Sequence, residues 1–344
     1  MSKVTFLALA AVGVFISYYV TLTSGMVLDW GPDVRALENK VCVVTGATRG
    51  IGRGIALGLG EQGATVYVTG RTASDLRKTA DEVTSKGGKG IPVVVDHTDT
   101  DQIRALFEQV EKEQGKLHIL VNNCFSAVGG MFSELNKKYW DRDLDWWDTV
   151  NSAGLRSHYI ASQIATPLML KTAEEDGAPE PGLIVIVSSW GGALPIFDAA
   201  YGIGKAAKDR MAGDLAHDLQ GRPIHVVSLW PGAVLTETID ELVVSNATAT
   251  DESRAAFAQG ESTLFQGRAV AALARDPQGT GRRNGKIVMT ADLGEELGFA
   301  EDDGTRPMTF RTVKFLAKNT PLFPLIPRFV KVPKWCIALF ASRF

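Results

Sequence analysis

The chain has 344 residues, of which 45% are hydrophobic and 22% charged, with a net charge of −3. That leaves ample apolar material for a large core, and with no basic patch interleaved with aromatics it gives no reason to expect a nucleic-acid partner. Three cysteines, Cys42, Cys124 and Cys336, are too few and too scattered for a disulfide framework, and no metal site is expected.

Val4 to Leu28 contains no charged side chain. A helix of that length reaches about 37 Å against a hydrocarbon core of roughly 30 Å, so residues 1–30 read as an uncleaved membrane anchor. A removed signal peptide is the competing reading, with Lys3 as a minimal basic start. The apolar run exceeds a usual signal core, however, and no Ala-x-Ala site follows it. Lys3 favours a cytosolic amino terminus, while the scarcity of cysteines argues against a lumenal body, so the membrane face stays open. Asn246-Ala247-Thr248 is a glycosylation sequon whose occupancy would mark the body as lumenal. Residues 31–39, with Gly31-Pro32, form a polar linker into a domain spanning 40–300.

Val41 to Val44 is a short apolar run dense in β-branched residues, which suits a strand buried on both faces. It runs into Thr45-Gly46-Ala47-Thr48-Arg49-Gly50-Ile51-Gly52, and apolar residues at helical spacing follow from Arg53 to Gln62. Strand, glycine turn and helix deliver a dinucleotide pyrophosphate to a helix N-terminus. Gly46 permits the tight turn, Gly50 the approach of backbone to phosphate, and Gly52 the close packing of helix on strand.

A second strand, Thr65–Thr69, ends in Gly70-Arg71. Where NAD-preferring folds place an acid for the ribose 2′-hydroxyl, Arg71 stands here, with Arg49 in the turn, a pair suited to the 2′-phosphate of NADP(H). A helix over Ser74–Ser85 leads to a third strand, Ile91–Val95, with Asp96 at its end. The helix Asp101–Gln114 precedes a fourth strand, Leu117–Val121, which enters Asn122-Asn123-Cys124-Phe125. The aromatic stretch between Ser126 and Trp147 reads equally as a roof over a substrate pocket or as ordinary helix packing.

A fifth strand, Leu183–Val187, ends in Ser188-Ser189. Tyr201-Gly202-Ile203-Gly204-Lys205 opens a helix that continues through Leu219. A sixth strand, Ile224–Leu229, ends in Trp230-Pro231-Gly232-Ala233-Val234-Leu235-Thr236, and Lys286–Thr290 is a seventh. The whole predicts an α/β fold, a doubly wound parallel sheet of Rossmann type with about seven strands, behind an N-terminal hydrophobic anchor helix. Residues 301–344 form a basic and apolar tail that either lies in a membrane interface or packs on the body or another subunit.

The Thr-Gly-x-x-x-Gly-x-Gly turn, Asn151-Ser152-Ala153-Gly154, Tyr201-x-x-x-Lys205 and Pro231-Gly232-x-Val234-x-Thr236 together resemble the short-chain dehydrogenase/reductase family. The resemblance implies a catalytic set of Tyr201, Lys205, Ser189 and Asn151. Ser189 is preferred to Ser188, although the family's serine more often stands where Ser188 does. It implies cofactor contacts from Gly46, Thr48, Arg49, Gly50, Ile51, Gly52, Arg71, Asp96, Asn122, Tyr201, Lys205, Pro231, Gly232, Val234 and Thr236. The Cys124-Phe125 that follows Asn122-Asn123 departs from the family's usual Ala-Gly.

The implied activity is NADPH-dependent reduction of a bulky hydrophobic ketone, such as a steroid, xenobiotic or lipid-like molecule, at the endoplasmic reticulum and in a possible homo-oligomer. The same chemistry run as alcohol oxidation, and a non-catalytic membrane-tethered nucleotide sensor, are the alternatives. A free tyrosine has a pKa near 10, so the Lys205 ammonium one turn on is expected to pull Tyr201 down towards neutrality.

Overall fold

The computed structural model describes residues 28–30, 35–133, 137–175, 181–245, 257, 260–312 and 331–332. Seven parallel strands form one sheet in the order β3-β2-β1-β4-β5-β6-β7. They are β1 Val41–Val44, β2 Thr65–Gly70, β3 Lys89–Val94, β4 Ile119–Asn122, β5 Gly182–Val187, β6 Ile224–Trp230 and β7 Ile287–Met289. The order reverses direction between β1 and β4, so the carboxyl ends of those strands open a crevice, the usual ligand position in such sheets.

The alternation of side chains along each strand divides the core in two. Cys42 and Val44 of β1 face a layer made by α1 (Gly50–Glu61), α2 (Ala73–Ser85) and α6 (Thr263–Arg275). Val41 and Val43 face the opposite layer, made by α3 (Thr100–Gln114), α4 (Ser157–Glu175) and α5 (Ala199–Asp218). The central strands are therefore buried on both sides, which explains why β5 reads as Gly-Leu-Ile-Val-Ile-Val without a break, all of it buried, whereas β3 at the sheet edge is only partly covered.

The elements sit close to where the hydrophobic pattern puts them. α5 starts two residues before Tyr201 because Asp198 caps it, its Oδ1 accepting from the Tyr201 amide at 3.0 Å. Between Asn151 and Ser157 the chain makes one π-turn, Ser152–Arg156, which separates the short helix Trp146–Asn151 from α4.

The membrane anchor read from the sequence lies outside the described residues, apart from its last three. Those three pack on the domain: the Leu28 amide donates to the Leu297 carbonyl at 3.2 Å, and Trp30 stacks near Phe299. Among the described residues, no helix is long and apolar enough to cross a membrane. The tail also touches the body. Asp292, buried on α7 (Thr290–Leu297), accepts from Arg311 at 2.5 Å and from Lys331 at 3.1 Å. The basic residues Arg311 and Lys331 are thus spent on a carboxylate of the domain itself.

Candidate active site

One cavity of about 510 Å³ runs along the carboxyl ends of the strands. One wall is backbone. Gly46 and Gly50 hold φ values of +67° and +58°, which a side chain would strain. A Cβ placed on Gly52 would stand 2.2 Å from the Gly46 carbonyl oxygen and 2.4 Å from Asn123 Nδ2. Asn123 holds this turn from the side, its Nδ2 donating to the Thr45 and Gly46 carbonyls at 3.0 and 3.1 Å. The departure at Cys124 is absorbed by the same region: its amide donates to Thr45 Oγ1, and its carbonyl accepts from His158 Nε2 at 3.0 Å.

Thr48, Arg49, Ile51, Arg71, Asp96, Tyr201, Lys205, Pro231, Gly232, Val234 and Thr236 all line the cavity with the three glycines. Asn122 does not. It is the last residue of β4, and strand alternation turns its side chain into the helix layer, where Nδ2 donates to Ser162 Oγ at 2.9 Å. The Asn122 side chain is thus turned from the cavity, which its neighbour Asn123 lines.

At the other end, Ser189 Oγ and the Tyr201 hydroxyl are 2.7 Å apart. Ser188 points away, its hydroxyl donating to the Lys205 carbonyl at 3.0 Å, because it continues the alternation of β5 towards α5. Lys205 lies one helical turn beyond Tyr201, with Nζ 5.3 Å from the centre of the phenol ring. Asn151 sits behind this pair, outside the cavity; its Nδ2 donates to the Ala200 carbonyl at 3.3 Å, and its Oδ1 packs where a Cβ on Gly204 would be.

Burial dominates the titration of this cluster. It pushes the Tyr201 phenol up to about 12, with the Ser189 hydrogen bond pulling down and the Asp198 carboxylate pushing up. Lys205 is not among those influences: burial draws its own pKa below that of the phenol, so it has lost its charge before the phenol ionises. Lys205 itself is pulled down to about 8 by burial, against the opposing charge of Asp209.

Several residues around the cavity carry no sequence signal. The α1 N-terminus has no capping side chain of its own and no acid in its first turn. Glu237 supplies one from the far side of the chain, its Oε2 accepting from the Gly50 amide at 2.9 Å. Glu261 is buried beneath Pro231-Gly232, accepting from the Gly232 amide, Gln266 and Thr290 at 2.8, 2.6 and 2.6 Å. Phe310, from the tail, closes the apolar end against Trp190 with ring centres 5.1 Å apart. Asp198 is different: Asp three residues before Tyr is a readable helix cap. Its Oδ2 lies 3.7 Å from Arg142 Nη2, both side chains being buried, and so ties the aromatic stretch before Asn151 to the start of α5.

A family model described as short chain dehydrogenase matches residues 40–246. The chain belongs to this family. Dehydrogenase/reductase SDR family member 1 of Homo sapiens is 40% identical over 317 residues, covering 90% of this chain and 99% of the human protein. The Mus musculus protein of the same name is 40% identical over 320 residues, covering 90% and 100%. A 7alpha-hydroxysteroid dehydrogenase of Clostridium sardiniense is 28% identical over 225 residues, 65% of this chain and 79% of that one. A short-chain dehydrogenase/reductase structure from Burkholderia xenovorans has the same fold, with a TM-score of 0.64 at 23% identity, covering 74% and 96% of the two chains. As a member of the family, the chain is an oxidoreductase that takes a nicotinamide nucleotide and a small-molecule substrate. The bare glycine cradle and the cavity of about 510 Å³ beside it fit that nucleotide.

Proposed function

We propose that the chain reduces the carbonyl of a hydrophobic small molecule, a steroid, xenobiotic or lipid-like ketone, with NADPH as the reductant. The observation that carries this reading is the 2.7 Å pairing of Ser189 Oγ with the Tyr201 hydroxyl inside the cavity that the glycine turn opens. When bound, the nicotinamide supplies a hydride to the carbonyl carbon. Tyr201 holds the proton that the carbonyl oxygen needs. Ser189 donates a hydrogen bond to that same oxygen and orients it. Lys205 holds the ribose beside the ring, and Asn151, from behind, supports proton return through water.

Held up to about 12 by burial, the Tyr201 phenol carries its proton at neutral pH and can give it to a carbonyl oxygen. Arg49 and Arg71, both exposed at the adenosine end with no acid on Gly70-Arg71-Thr72, support a 2′-phosphate and thus NADPH over NADH. The apolar end, walled by Phe125, Phe132, Phe197, Trp190 and Phe310, supports a bulky hydrophobic ketone. The uncharged run Val4–Leu28 supports anchoring at a membrane, for which the endoplasmic reticulum is our reading.

A panel of ketones with purified protein tests the reaction and its cofactor in one assay. Turnover with NADPH that drops by roughly 10²–10⁴-fold in Tyr201→Phe, with cofactor affinity kept, is the expected result. Arg71→Asp is expected to move preference towards NADH through a changed KM for the cofactor. Cofactor binding without turnover on any ketone would replace the enzyme by a nucleotide sensor.

A further inference from the structure

The helix that carries Tyr201 and Lys205 carries a third polar residue in the same register. Tyr201, Lys205 and Lys208 stand at i, i+4 and i+7, one stripe of α5 facing the sheet. Lys208 is 2% exposed and ranks among the largest fully buried side chains of the described residues. Its Nζ donates to the Val187 carbonyl, at the end of β5, at 3.3 Å. Both lysines lie over the Phe125 ring, Lys205 at 5.2 Å and Lys208 at 5.7 Å from its centre. The groups facing Lys208 are Cys124 from the loop after β4, His158 from α4, and Lys205 and Asp209 from α5 itself. His158 is neutral there: its Nε2 hydrogen is given to the Cys124 carbonyl, and burial keeps its pKa low. Among the described residues no carboxylate forms an ion pair with Lys208.

A buried amine without a carboxylate partner is costly, and a methionine of similar length would pack there at no such cost. Such a cost, one turn from a reacting group, points to a residue kept for function. A neutral amine has two N–H bonds and one lone pair. One N–H satisfies the Val187 carbonyl, which leaves the lone pair available to Lys205, whose Nζ stands over the same Phe125 ring.

We propose that Lys208 is a positioning residue: it accepts a hydrogen bond from the Lys205 ammonium, anchors that bond on the Val187 carbonyl, and so holds Lys205 charged and aimed across Phe125 at Tyr201. The inference rests on the reading of Tyr201 and Lys205 given above. Two buried amines over one ring that share a hydrogen bond titrate as a pair. The shared proton favours Lys205, since the hydrogen bond from Lys208 raises Lys205 while the reciprocal contact lowers Lys208.

Lys208→Met separates this role from packing. The expected result is a Tm raised by about 2–4 °C, as a buried amine without a carboxylate partner is removed. With it, kcat for reduction falls about tenfold, the loss of one charge-assisted hydrogen bond at the site. The alkaline limb of the kcat profile moves to lower pH, because Lys205 has lost the acceptor that favours its charged form. A lower Tm with activity falling in proportion would overturn the proposal by making Lys208 a packing residue. So would wild-type kcat and an unmoved limb. Tyr201→Phe is run beside it: if that variant keeps its activity, the enzymatic reading has failed, whereas an inactive Tyr201→Phe with wild-type Lys208→Met sinks only the role of Lys208.

Discussion

The two ends of the cavity are built on opposite principles. The nucleotide end is made of absences: glycines at Gly46, Gly50 and Gly52 where any side chain would fill the cradle or strain the turn. The apolar end is made of presences: Phe125, Phe132, Phe197, Trp190 and Phe310, rings brought together from segments up to 185 residues apart, between Phe125 and Phe310. In the first, chemistry is fixed by backbone, and one added carbon is decisive. In the second, each ring is one of several, and losing one reshapes the wall without breaking it. The Ser189–Tyr201 pair stands where the two ends meet.

The sharpest way to break this contrast is one methyl group placed at each end. Gly52→Ala puts a carbon 2.2 Å from the Gly46 oxygen, and neither that backbone atom nor the pinned Asn123 can yield cheaply. Dinucleotide affinity is expected to fall by roughly 100-fold or more, read as Kd by nicotinamide fluorescence. Gly129→Ala is the counterpart. Gly129 lines the apolar end, and a Cβ there meets nothing within 4 Å, so Kd for the dinucleotide should not move. Equal losses in both variants would mean that the two ends are not separable.

A middle-sized effect is expected at Phe310. Phe310→Ala opens the apolar end behind Trp190, so KM for a fused-ring ketone should rise about tenfold while a small ketone is little affected. The size selectivity of the enzyme would then be carried partly by the tail. Because Arg311, the next residue, is clamped to buried Asp292, Asp292→Asn should shift the same ratio in the same direction. A KM that moves equally for large and small ketones would place Phe310 in general packing.

The same contrast separates what is legible in the amino-acid sequence from what is not. Backbone demands leave local traces: a positive φ calls for glycine, a strand buried on both faces for an unbroken apolar run, and both are visible within eight residues. Tyr201 and Lys205 are legible for the same reason, as neighbours on one helical turn. Asn122 is misplaced by a sequence reading because one step of strand alternation separates it from Asn123, and two adjacent asparagines do not tell which one faces the crevice. Phe310, Glu261 and Glu237 have no local trace at all, since each acts across a distance set only by tertiary packing. Burial pushes the Tyr201 phenol up where a lowering is expected: spacing gives the proximity of Lys205, but not that burial dominates the hydroxyl and draws Lys205 itself down.

The smallest effect tests whether the nucleotide end is as bare as the glycines suggest. Glu237 places a carboxylate oxygen 2.9 Å from the Gly50 amide, at the first turn of a helix whose N-terminus attracts anions. Its other oxygen lies 3.7 Å from Arg53, so the side chain has a second place to rest. A pyrophosphate seeking the same amide must displace it, and the exchange of one anion for another weakens the net gain. Glu237→Gln removes the competing charge but keeps a side chain of the same shape, and dinucleotide Kd should fall about threefold, less at high salt. A Kd that rises would mean that Glu237 swings with the loop to close over the bound nucleotide, in which case the backbone end of the cavity also depends on a side chain, and the division between the two ends is one of degree.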